Sequence, residues 1–294
     1  MLLAVPNVSE GRDGRRISRL GAGFATGAAL LDTHTDAVHN RSVFTLTGEA
    51  GTLAAALLNG ARVAVQEIDM RRHQGAHPCI GALDVCPVVW IDPADREAAS
   101  SDALEVADQI ARELRVPVFL YGDLASTHRR RERSYFREGG GVELRRRMGT
   151  RELRPDRGPA EAHPTAGATL VTARPPLVAF NVELDTGDVN AARSVAAQLR
   201  ESGGGLPGVR AIGLALDGAR TQISTNVHDP ATVPLSHVLS EVRRLAARQG
   251  ARPVGAELIG LAPAAALEGY PDDVPLLGFE PAKHLIERRL GAPG

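Results

Sequence analysis

Residues 72–87 read R-H-Q-G-A-H-P-C-I-G-A-L-D-V-C-P, which puts His73 and His77 four positions apart on a stretch broken by Gly75 and Pro78. An imidazole titrates near neutral pH, so either histidine could take a proton from one reacting group and return it to another. Glycine and proline restrict where such a turn can go, which helps to aim a ring. For each histidine the competing reading is an ordinary structural hydrogen bond. Two histidines at this spacing can hold zinc from one helix face, but Gly75 and Pro78 argue against a continuous helix. Cys79 and Cys86, with six residues between them, do not have zinc-knuckle spacing. No metal is expected.

The elements that would position this turn follow from periodicity. A strand over 2–8, a helix over 11–24 with Ile17, Leu20 and Phe24 at spacings of three and four, strands over 29–33 and 42–47, an amphipathic helix over 53–70 and a strand over 84–91 are expected. That order is β-α-β-β-α-β, the split ferredoxin-like unit. It returns as a strand over 177–184, a helix over 189–200, strands over 209–217 and 221–226 joined at Gly218, a helix over 233–248 and a strand over 252–261. The first unit carries extra elements: a helix over 92–114, a strand over 116–121 and a basic segment after it.

That segment, 127–157, contains Arg129-Arg130-Arg131-Glu132-Arg133 and Arg145-Arg146-Arg147. It reads either as a solvated helix face or as an electrostatic approach for a polyanionic ligand. Tyr135 and Phe136 are the only aromatics within it and no nucleic-acid module surrounds them. The connector 155–169 is rich in proline and glycine and sits between the two repeated patterns. It is either a plain linker or a loop lining a ligand cleft. Gly203, Gly205 and Gly208 satisfy G-x-G-x-x-G, but a helix precedes them and a strand follows, the reverse of a dinucleotide fingerprint. No phosphate-binding P-loop or G-x-S-x-G elbow is present.

With 294 residues, 43% of them hydrophobic and 23% charged, the chain reads as an ordinary globular protein of one large domain or two smaller ones. A formal charge of −1 gives no global bias toward nucleic acid or an anionic membrane. Two cysteines without a disulfide framework fit a reducing cytoplasm. The start M-L-L-A-V-P-N lacks the basic and apolar regions of a signal peptide, and no apolar run is long enough to span a membrane. A cytoplasmic protein is expected.

In order along the chain, V-P-N-V-S-E-G at 5–11, L-L-D at 30–32, N-R-S-V at 40–43, the 73–87 stretch with its H-x-G-x-H-P and G-A-L-D-V-C-P motifs, V-P-V-F-L-Y-G at 116–122, P-D-R-G-P at 155–159, A-F-N-V at 179–182 and E-L-I-G-L at 257–261 resemble the formiminotransferase family. The resemblance covers nearly the whole chain. It implies an α+β fold of two ferredoxin-like (βαββαβ) α/β subdomains packed around a ligand cleft, with residues 1–176 as the N-terminal and 177–294 as the C-terminal formiminotransferase subdomain. It implies transfer of the formimino group from N-formimidoyl-L-glutamate to N5 of tetrahydrofolate, in histidine degradation. Tetrahydrofolate would be the co-substrate, with no metal. The partners implied are these small molecules, a second copy of the chain in a homodimer and a separate cyclodeaminase. The family's catalytic histidine is the second of the H-x-G-x-H-P pair, His77 here. Folate contacts map to Gly158, Pro159, Ala160, Glu161, Ala162, His163, Pro164, Thr165, Ala166 and Gly167. Asn40 and Arg41 are candidates for substrate contacts, Arg41 against a carboxylate or in a structural salt bridge. The chain departs from the family where Ala76 stands in place of a common glutamate and Cys79-Ile80 in place of a common Arg-Met. Those departures leave room for 5-formyltetrahydrofolate or another formimino donor as substrate, or for a non-catalytic folate-binding relative.

Overall fold

Proline has no N–H to give to a sheet ladder, and the first strand divides at Pro6 into β1 (Leu2–Ala4) and β2 (Asn7–Val8). The chain holds its line across the gap because Val5 N donates to Pro87 O at 3.0 Å and Phe44 N to Pro6 O at 3.0 Å. The computed structural model describes residues 1–76, 78–216 and 218–291, and the chain divides into two compact units, Met1–Pro175 and Pro176–Gly294.

In the first unit, α1 (Gly14–Phe24) is capped by Asp13, whose carboxylate accepts from Arg15 N and Arg16 N, an arrangement that stabilises a helix by about 1 kcal/mol. β3 (Ala29–Asp36), β4 (Arg41–Gly48), α2 (Leu53–Glu67), β5 (Leu83–Trp90), α3 (Arg96–Glu113) and β6 (Val118–Leu120) follow. The helix expected to end at 70 stops at Glu67, where Ile68 turns extended. β4 lies between β3 and the β1/β2 line, which pairs on its other side with β5, all antiparallel.

β5 is buried along its whole length, so its alternate side chains serve two faces. Cys86, Val88 and Trp90 join the core formed with α1, α2 and α3. Val85 joins a second core with Ile80, Phe119, Phe136, Leu144, Met148 and Leu170. That second core depends on the basic segment, which forms α4 (Arg133–Arg137) and α5 (Gly140–Gly149). The segment is therefore not simply a solvated helix face. Phe136 is fully buried, Arg147 is 3% exposed, and Arg130 pairs with Asp156 at 2.9 Å.

The loop over 155–169 does not join the two units. A strand not expected from the sequence, β7 (Thr169–Arg174), follows it and pairs in parallel with both β5 and β6. The loop thus lies inside the first unit.

The second unit contains β8 (Val178–Leu184), α6 (Val189–Leu199), β9 (Val209–Ala215), β10 (Thr221–Val227), α7 (Leu235–Ala247) and β11 (Pro253–Ile259). Its antiparallel sheet has the order β11-β8-β10-β9. Phe180, Val182, Ile223 and Leu258 pack on one face against Val195 and Leu199 of α6 and Leu239 and Val242 of α7.

Candidate functional site

Three segments of the first unit converge on a small cleft. The residue after β2 supplies Ser9, the turn between β3 and β4 supplies His39 and Asn40 and the first residue of β4 supplies Arg41, and the stretch into β5 supplies His73 and Cys79 and β5 itself Asp84. Asn40 is the brace between them. It sits at φ 49°, a left-handed conformation that asparagine tolerates better than most residues. Its Oδ1 accepts from Gly11 N at 2.9 Å and its Nδ2 donates to Gln74 O at 3.1 Å.

Both partners are backbone groups of fixed polarity, so the orientation of the amide is determined by chemistry. The second Nδ2 hydrogen then faces His73 Nδ1 at 3.4 Å. That ring nitrogen presents a lone pair, and the ring proton of neutral His73 sits on Nε2. Burial pulls the His73 pKa below its ordinary value, against a hydrogen bond to the Ser9 backbone and the nearby charges of Asp84 and Glu10. His73 is thus a neutral, braced ring. Gly75 is required between the two loops because a Cβ there would lie 2.2 Å from His39 O.

The charges of the cleft are unusual for their burial. Asp84 is 2% exposed. One of its oxygens accepts from Ile80 N at 2.8 Å and the other pairs with Arg137 of α4. Burial pulls Arg41 down to about 9, and the guanidinium groups of Arg137 and Arg133 act in the same direction while Asp84 opposes them. Arg133 is lowered for the same first reason, burial. Burial also pushes the Cys79 thiol up to about 11, so it is protonated at neutral pH and is no nucleophile. Cys79, where the family motif often has arginine, has Arg41 and Arg137 as charged neighbours. At the rim, Asp36 pairs with His39 and accepts from Val38 N at 2.8 Å. Burial works against its charge, but these bonds hold it at about 2.

Of the residues singled out from sequence, Asn40, Arg41 and His73 come together here, and His77 lies outside the described residues. None of residues 158–167 lines the cleft, but the end of that loop is stitched to the segment that does. Met70 N donates to Thr165 O at 2.8 Å, Ala82 N to Ala166 O at 2.9 Å and Ala168 N to Ile80 O at 3.0 Å. His163 Nδ1 accepts from Ala166 N at 3.0 Å, which shapes the turn, and burial lowers its pKa. Gly167, at φ 71°, passes so close to Ile80 that a Cβ would lie 2.1 Å from its carbonyl oxygen. Ala162 packs against the second core, while Ala160 and Glu161 are exposed.

Asp84 and its ion-pair partner Arg137 were missed from sequence, though one signal was available. A carboxylate inside an otherwise apolar strand needs a buried partner. Among the described residues, no group of three or more His, Cys, Asp or Glu side chains could hold a metal ion, and no helix is long and apolar enough to cross a membrane.

The two-unit α+β chain belongs to the formiminotransferase family. Residues 1–174 match the family model for the formiminotransferase domain, N-terminal subdomain, and residues 179–269 the model for the formiminotransferase domain. Among individual relatives, glutamate formimidoyltransferase of Streptococcus pyogenes serotype M1 is 40% identical over 90% of this chain and 89% of its own. The protein of the same name from Thermoplasma acidophilum is 34% identical over 90% and 88%. Formimidoyltransferase-cyclodeaminase of Sus scrofa is 37% identical over 98% of this chain, which spans 56% of that longer protein.

Proposed function

We propose that this protein is a glutamate formimidoyltransferase that moves the formimino group of N-formimidoyl-L-glutamate to N5 of tetrahydrofolate. The observation that carries this reading is the 40% identity to the Streptococcus pyogenes enzyme over about nine-tenths of both chains. The reaction requires N5 to attack the amidine carbon, N5 to lose a proton as the new C–N bond forms, and the glutamate nitrogen to gain a proton as the old bond breaks. One imidazole can do both. His77 is assigned this shuttle on the H-x-G-x-H-P motif, and His73 and Cys79 on either side of it line the cleft. The neutral, hydrogen-bonded state of His73 suits a positioning role and leaves the shuttle to His77. Arg41 is assigned to the donor near its reacting end. Asn40 acts beside it chiefly as a brace, since its amide hydrogens both have protein acceptors. Residues 158–167 are assigned to tetrahydrofolate.

Residues 1–176 and 177–294 are proposed as the two subdomains, each on a ferredoxin-like plan. The strand orders support that plan, since in each unit the first strand of the βαββαβ pattern lies between the third and the fourth, with the second beyond the third. A cytoplasmic homodimer completes the proposal. The test is turnover of purified protein with N-formimidoyl-L-glutamate and tetrahydrofolate, beside His77→Ala. The variant is expected to fold and to lose about 10²–10⁴-fold in kcat. Normal turnover in a folded His77→Ala protein would remove the shuttle.

A further inference from the structure

Helix α4 is only five residues long, and Phe136 anchors it, fully buried with its ring centroid 5.1 Å from that of Phe119. The anchor fixes Arg133 and Arg137, which at a spacing of four share a helix face. Arg137, with 10% of its side chain exposed, reaches Asp84 at the cleft, where Arg41 also stands. Asp84 already holds Ile80 N with its other oxygen. The Arg137 Nε is buried and has no hydrogen-bond partner among the described residues.

Among the described residues, three guanidinium groups, those of Arg41, Arg133 and Arg137, therefore act on one another around one buried carboxylate, Asp84. The other groups interacting with Arg133 are the phenol of Tyr121, the exposed Glu132 and the guanidinium of Arg174. Buried positive charge in excess of its counter-charge is costly, and a bound anion relieves that cost. Guanidinium forks match carboxylates in shape as well as charge.

We propose that Arg133 and Arg137 join Arg41 as a carboxylate subsite of the cleft, with Asp84 as the internal counter-ion that aims the Arg137 fork. The identity of the ligand rests on the formimidoyl-transfer reading. Its carboxylate comes either from the formimino donor or from the glutamyl tail of the folate.

Glutarate, a bare dicarboxylate, is the direct probe. It is expected to raise the Tm of the wild type and to lose that effect in Arg133→Met. Arg137→Lys, which keeps a cation on Asp84 but removes the fork, serves as the second variant. Arg146→Gln, at an exposed pair on α5, is the control and keeps wild-type behaviour. In turnover, each cleft variant should raise KM for N-formimidoyl-L-glutamate by about 10- to 100-fold with kcat little changed. A rise in KM for tetrahydrofolate alone would retain the subsite and assign it to the folate tail. Unchanged KM for both substrates, with an unchanged glutarate shift, would overturn the proposal. Absence of turnover in the wild type would remove the transfer reading, while the glutarate shift would still report on the subsite.

Discussion

Asp84 in the first unit and Asp273 in the second each face an arginine, but Asp84 has 2% of its side chain exposed and Asp273 has 69%. The contrast extends across the two units. Both contain a β-α-β-β-α-β run with the same order of those four strands, yet among the described residues the most deeply buried charged residues, Glu10, Asp84, Asp102 and Arg147, all belong to the first. Glu10 and Asp102 have structural work there: Glu10 accepts from Arg12 N and Asp13 N, and Asp102 from Gly51 N. Asp84 is the one that lines the cleft. Repeating the fold requires only apolar periodicity, whereas burying charge requires a specific partner, so buried charge distinguishes the unit that holds the candidate cleft.

That comparison is open to direct attack. Asp84→Ala would leave Arg137 buried without its counter-charge and is expected to cost about 3–5 kcal/mol in urea unfolding. Asp273→Ala, at the solvent, should cost about 0–1 kcal/mol. Equal losses would erase the distinction between the units.

Backbone approach gives a second contrast of smaller size. A Cβ at Gly75 meets His39 O at 2.2 Å, while one at Gly218 meets nothing within 4 Å. Gly75→Ala should lower stability by about 1–3 kcal/mol and reduce kcat/KM, because it pushes apart the loops that carry His73 and Asn40. Gly218→Ala should stay within about 0.5 kcal/mol. Thermal melts of the two variants beside the wild type check this.

The smallest effect is a pH dependence. His73 has its folded pKa below the ordinary 6.5, so the unfolded chain binds its proton first. The contribution of neutral His73 is fully present above pH 6.5 and falls as pH drops from there toward the folded value. His73→Gln should flatten that part of the stability–pH curve. An identical slope in the variant would show that His73 does not titrate as described.

Much of the fold was legible because period-two and period-3.6 patterns report directly on which face is buried. β7 was not, because its short apolar run follows directly on a stretch dense in proline and glycine and was given no element of its own. Only pairing with β5 and β6 gives that run its identity. The basic segment shows a deeper limit. Composition counts arginines but cannot separate Arg146, exposed on α5, from Arg137, turned onto Asp84 four residues beyond Arg133. Asn40 and Arg41 were found through a family-like motif. The physical reason for Asn40, a left-handed turn whose side chain joins two other loops, emerges only when those loops are brought together.

The measurement that bears most directly on the central claim is product analysis of the wild-type protein mixed with tetrahydrofolate and N-formimidoyl-L-glutamate. The account predicts that 5-formimidoyltetrahydrofolate and glutamate form in equal amounts and that neither forms when either substrate is omitted. Tetrahydrofolate that binds while no glutamate is released would contradict it.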